Sequence, residues 1–98
     1  MPKVRVYDAP AGCTMGLDEE VRACHQQFDR AVEYLQSAGQ DIVRFNLGWD
    51  MREFAENPTV REKLGSAGVK ILPMITVDGH IVIFGAYPNR ATLIALFD

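Results

Sequence analysis

The chain has 98 residues, 48% of them hydrophobic and 23% charged, the make-up of one ordinary soluble domain spanning residues 1–98. A formal charge of -3 excludes any general attraction to nucleic-acid phosphates, so DNA binding would need a local basic patch. Two cysteines, at positions 13 and 24, make no disulfide framework, and the opening MPKVRVY has neither a long apolar core nor a cleavage motif. No apolar run is long enough to cross a bilayer, and a reduced, cytoplasmic protein is expected.

Val4, Val6 and Tyr7 suggest a short first strand, followed by a glycine-punctuated loop over residues 8–16. Leu17, Val21, Cys24, Phe28, Ala31 and Leu35 then recur every three or four residues, the period of one buried helix face. Asp18, Glu19 and Glu20 put negative charge in its first turn, where the helix dipole favours it, and Gly39 suits the C′ stop. Residues 42–47 read as a second strand with Val43, Phe45 and Leu47 on one face. A short helix is expected within GWDMREFAENP, and Asn57-Pro58 is an N-cap with proline at the first helical position, predicting a further helix that ends near Gly68. ILPMITV and HIVIF form two apolar strands joined by Asp78-Gly79, a strong hairpin signal. Pro88 opens a last helix, with Leu93, Ile94 and Leu96 for its inner face.

The order β-α-β-α-β-β-α, a parallel half followed by an antiparallel hairpin and a closing helix, is similar to the thioredoxin-like layout. That resemblance implies a four-stranded mixed sheet with helices on both faces. It also implies that Leu72-Pro73, at the opening of the third strand, is a cis bond beside Cys13.

Cys13 precedes the predicted helix start, where free N–H groups and the dipole stabilise a thiolate. The adjacent Asp18, Glu19 and Glu20 oppose it, since negative charge raises a thiol pKa. The stretch Cys13-Thr14-Met15-Gly16 places glycine where a resolving cysteine would stand, so no dithiol cycle is available through this motif. Cys24 falls in the apolar seam between Val21 and Phe28 and reads as a small core hydrophobe. Neighbouring helix positions diverge by about 100°, so Cys24 and His25 do not converge on one ion. His25 is expected at the surface and His80 without a partner; no zinc-site spacing is present.

VYDAPAGC followed by TMG, then RFNL, then ILPMITVDGHIVIFGAYPNRATLIALF, at these separations, resemble the ArsD family from Val6 to Phe97. ArsD proteins are trans-acting repressors of arsenical-resistance operons and arsenic metallochaperones. The resemblance implies a thioredoxin-like homodimer that passes trivalent arsenic or antimony to the ArsA efflux ATPase and weakly represses its own operon. It also implies a three-thiolate site, which suits soft, three-coordinate As(III). On this chain the three family positions are Gly12, Cys13 and Asp18, so Cys13 alone keeps its thiol. The C-terminal cysteine pairs of longer members have no counterpart in residues 1–98. The expected metalloid site is thus Cys13, holding its ligand weakly or shared across a dimer.

Two other functions stand beside this one. A monothiol thioredoxin- or glutaredoxin-like oxidoreductase would use Cys13 through glutathione mixed disulfides. A DNA-binding regulator without metal chemistry would need Arg44, Arg52, Arg61, Lys63 and Lys70 to gather, whereas they read as solvated helix and strand-edge charges. No helix-turn-helix is visible, so operator DNA follows from the resemblance alone. The run Ile81-Val82-Ile83-Phe84, apolar on both faces of a predicted edge strand, suggests a homodimer independently.

Overall fold

The computed structural model describes residues 2–8 and 19–97, with side chains for residues 2–8, 23, 25–68 and 70–97. Strand β1 is Val4–Asp8, helix α1 Glu19–Ser37, β2 Ile42–Asn46, α2 Met51–Glu56, α3 Pro58–Ala67, β3 Met74–Val77, β4 His80–Phe84 and α4 Arg90–Ala95. A 3-10 turn over Val69–Ile71 leads into β3. Gly12, Cys13, Leu17 and Asp18, with the side chains of Val21 and Cys24, lie outside the described residues.

Among the described residues the strands form one sheet in the order β2-β1-β3-β4. β1 runs parallel to β2, with Val4 opposite Ile42 and Asp8 opposite Asn46. It runs antiparallel to β3, with Val4 opposite Val77, and β3 is antiparallel to β4. The fold is therefore a mixed α/β, thioredoxin-like arrangement, as the order of elements predicts. Between β2 and β3 the chain forms two helices, divided at Asn57.

Alternation along the central strand divides the molecule into two layers. Val4 and Val6 face α1 and α4, in a core with Phe28, Ala31, Val32, Leu35, Ile42, Ile75 and Leu93. Tyr7 points the other way, into a core with Phe54 of α2, Val60 of α3, Ile71, Leu72 and Met74. Helices cover both faces, so β1 is buried on both sides. Val32, four residues after Phe28 and three before Leu35, is outside the seam expected from the sequence but is buried beside Phe28, Ala31 and Leu35.

Local signals act as their chemistry dictates. Helix α1 ends in a Schellman arrangement: Gln40 N donates to Leu35 O at 3.0 Å and Gly39 N to Gln36 O at 3.1 Å, with Gly39 at φ 84°. The Asn57 side chain accepts from Thr59 N at 3.0 Å and Val60 N at 3.2 Å, with Pro58 first in α3. Asp78 and Gly79, at φ 51° and 88°, turn the hairpin as a type I′ pair requires.

Three details correct the sequence reading. α4 begins at Arg90, not Pro88, because Asn89 is its N-cap and accepts from Thr92 N at 2.8 Å. Val43 is exposed, since β2 is an edge strand and Val43 lies at its open end; Phe45 and Leu47 of the expected stripe do pack on the second core. Leu47 itself lies past the strand end. At the other edge the register of β4 slips against Ile75 and Thr76, so Ile83 joins one core and Ile81 the other while Val82 is left in solvent. No described helix is long and apolar enough to cross a membrane.

Replacing Asn57 by alanine removes the acceptor for two first-turn amides of α3. Urea unfolding should show a loss of about 1 kcal/mol with an unchanged m-value.

Candidate functional site

Asp8 is the third residue of β1 on the α1 face, after Val4 and Val6, and it is only 7% exposed. A carboxylate there must be paired, because desolvation without a partner costs several kcal/mol. The β1–β2 register sets Arg44 opposite Val6, on the same face and one step from Asp8. Arg44 Nε donates to Asp8 Oδ2 at 2.8 Å and a terminal nitrogen donates to Oδ1 at 2.9 Å, a bidentate pair. The other guanidinium nitrogen donates to Asp29 of α1. The Tyr87 hydroxyl, from the segment between β4 and α4, donates to Asp8 Oδ1 at 2.6 Å.

Aromatic rings close the cluster. The Arg44 guanidinium carbon lies 5.1 Å from the Phe28 ring centre, and the Tyr87 ring packs 4.7 Å from Phe28 and 4.4 Å, edge-on, from His25. The network thus joins β1, β2, α1 and the approach to α4 through one carboxylate. Burial by itself would lower the Arg44 guanidinium, but its hydrogen bonds to Asp8 and Asp29, and their charges, outweigh this and raise it. Burial raises the Tyr87 phenol, and the hydrogen bond to Asp8 and that carboxylate's charge raise it further. Arg44 stays a cation and Tyr87 a donor across the physiological range. Asp8, accepting three hydrogen bonds, is a structural anchor.

Residues 9–18, with Cys13, join this anchor to the start of α1. The end of β2 is tied to the same point, since Leu47 N donates to Asp8 O at 3.3 Å. Pro73 is buried after a cis Leu72-Pro73 bond, and its carbonyl accepts from Gly85 N at 3.0 Å. Gly12, Cys13 and Asp18 lie outside the described residues, as does their relation to Pro73. His25 is half-buried against Tyr87 instead of at the surface, and His80 is exposed at the start of β4. No group of three His, Cys, Asp or Glu able to hold a metal occurs among the described residues.

The five cations considered for DNA do not behave alike. Arg44 is not a strand-edge charge, because its register turns it onto the α1 face and into the Asp8 network. Arg52 pairs with Glu56 on exposed helix surface, and Lys63 sits 5.2 Å over the Phe84 ring. Arg61 and Lys70 are exposed. Asp8 and Tyr87 are absent from the sequence-based candidates, although an aspartate closing the apolar strand VRVYD is a visible signal for a buried anchor.

Thioredoxin-like topology, with a cysteine-bearing connection between the first strand and the first helix, defines the class. A family model described as arsenical resistance operon protein ArsD matches residues 1–98. Two Escherichia coli arsenical resistance operon trans-acting repressors ArsD are each 32% identical over 98 residues, covering 99% of this chain and 82% of theirs. The crystal structure of an arsenical resistance operon trans-acting repressor from Bacteroides vulgatus ATCC 8482 superposes with a TM-score of 0.82 at 25% identity, covering 98% of this chain and 92% of that one. The chain belongs to the ArsD family.

Replacing Arg44 by methionine strands the Asp8 carboxylate and should cost about 2–3 kcal/mol in urea unfolding; Tyr87→Phe should cost about 1 kcal/mol. Because Tyr87 has a folded pKa above its unfolded value, its contribution is whole below pH 10.0 and is lost as pH rises through the raised folded value. The stability difference between wild type and Tyr87→Phe should therefore shrink in strongly alkaline buffer.

Proposed function

We propose that this chain is a trans-acting regulator of an arsenical-resistance operon that also carries trivalent arsenic or antimony to an ArsA-like efflux ATPase. The observation that carries the reading is the family match over residues 1–98, supported by curated repressors at 32% identity. Cys13 is the proposed ligand, with Gly12 and Asp18 at the positions where the family's other two thiolates stand. One thiolate satisfies a third of the three-coordinate demand of As(III), so the metalloid is held weakly, or by Cys13 from each of two subunits with an exogenous thiol as third donor. The protein acts in the cytoplasm as a homodimer and binds operator DNA. The edge strand β4, with Val82 48% and Phe84 55% exposed, supports the dimer, because unpaired apolar edges call for cover. The related repressors support a regulator over an enzyme, and monothiol exchange through Cys13 is the activity to be tested against it.

As(III) should be titrated against wild type and Cys13→Ser by calorimetry, together with a mobility shift on the operator at moderate salt. The reading expects saturable binding in wild type at no more than one metalloid per subunit, loss of binding in Cys13→Ser, and operator release on As(III) addition. Indistinguishable isotherms remove Cys13 from the site. Reduction of glutathione mixed disulfides that depends on Cys13, with no operator shift, would replace the regulator by the oxidoreductase.

A further inference from the structure

The face of the sheet opposite Asp8 carries a second set of polar groups. Arg5 and Tyr7, two residues apart on β1, share that face, and Phe45 of β2 lies opposite Tyr7. With Glu53 of α2 they line an open cleft of about 440 Å³ between the α2–α3 junction at Asn57 and the hairpin turn at Gly79. That volume is within the range of small-molecule sites, roughly 300–1,000 Å³.

Three polar groups on this cleft lack partners among the described residues, although such groups are ordinarily paired when withdrawn from water. The Arg5 guanidinium is held at one corner only: a single terminal nitrogen donates to Asp41 Oδ1 and to Val4 O, both at 2.9 Å, which leaves Nε and the other terminal nitrogen unbonded. Tyr7 is 4% exposed, and its hydroxyl makes no hydrogen bond among the described residues. Of the side-chain polar atoms described, only the Thr76 hydroxyl is both unbonded and sealed from solvent, so the Tyr7 hydroxyl reaches solvent at the cleft that this residue lines. Glu53 is half-buried and forms no ion pair among the described residues, whereas Glu56, also on the cleft, is matched by Arg52 at 3.2 Å. The cleft therefore offers free donors from β1, a free carboxylate from α2, and the rings of Tyr7 and Phe45 as apolar surface.

We propose that this cleft binds a small zwitterion with an apolar body, of the size and charge of an aromatic amino acid. Its carboxylate accepts from Arg5 and Tyr7, its ammonium meets Glu53, and its apolar part lies on Tyr7 and Phe45. A ligand carrying one charge alone leaves either the donors or the carboxylate unmatched, which selects against it. The cleft is on the other side of the sheet from the Asp8–Arg44 pair, and the proposal does not depend on Cys13 or on metalloid binding.

The probes are L-phenylalanine, phenethylamine and 3-phenylpropionate, which share a ring and carry both charges, the cation alone or the anion alone. Amide shifts in NMR follow binding to the full chain. Phenylalanine should bind saturably and move the amides of Tyr7, Asn57, Thr59 and Gly79, and each single-charge analogue should bind about tenfold more weakly. Glu53→Gln should erase the advantage of phenylalanine over 3-phenylpropionate. Tyr7→Phe should weaken phenylalanine and 3-phenylpropionate but leave phenethylamine unchanged. Circular dichroism and thermal unfolding should show an intact fold in both variants. Equal binding of the three probes, no shift at these amides, or an unchanged order of affinities in Glu53→Gln overturns the proposal. So does phenethylamine binding as tightly as phenylalanine, since Arg5 and Tyr7 would then take no part.

Discussion

The ion pair of Asp8 with Arg44 is the constraint on which this end of the molecule depends. A carboxylate at the end of a doubly covered strand would ordinarily be replaced by an apolar residue, since burial of an unpaired charge is among the largest penalties in a core. Here the parallel register brings a guanidinium from β2 to one side and the turn before α4 brings a phenol to the other. Three donors meet the two oxygens of Asp8, two of them on Oδ1. The same guanidinium reaches Asp29, so α1 is tied to the ends of both parallel strands.

That geometry has a consequence for the connection carrying Cys13. Asp8 closes β1 on one side of that connection, and Asp29 and Phe28 lie on the helix that follows it. Among the described residues the cluster contains no cysteine and no group of three side chains able to hold a metal. Its contribution is to tie β1, β2 and α1 to one another.

Much of the fold was legible because its signals are local. Asn57-Pro58, Asp78-Gly79 and Gly39 each carry a backbone demand that a few neighbouring residues satisfy, and each sits where that demand predicts. Where the reading slipped, a competing local cap decided in one place and a non-local choice in the other. Asn89 outcompeted Pro88 as the boundary of α4 because its side chain can cap Thr92, whereas proline offers only its fixed φ. Val43 matches the apolar stripe of β2, yet its strand is an edge and its end of the stripe has nothing above it. The candidate site was legible in part. Cys13 stands out by chain position and chemistry, but Arg44 looked like a solvated charge because charge pattern alone does not say which way a strand residue points.

The order of elements, the turn positions and membership of the ArsD family are legible along the chain, because periodicity, capping and turn chemistry act within a few residues and a family pattern is carried by the residues themselves. Register and helix packing settle what no local signal carries: that Asp8, Arg44, Asp29 and Tyr87 meet, that His25 packs on Tyr87, and that Trp49 is left in solvent. Asp8 and Tyr87 are far apart in the chain, and strand register and helix packing bring them together. No local property of either residue encodes that distance.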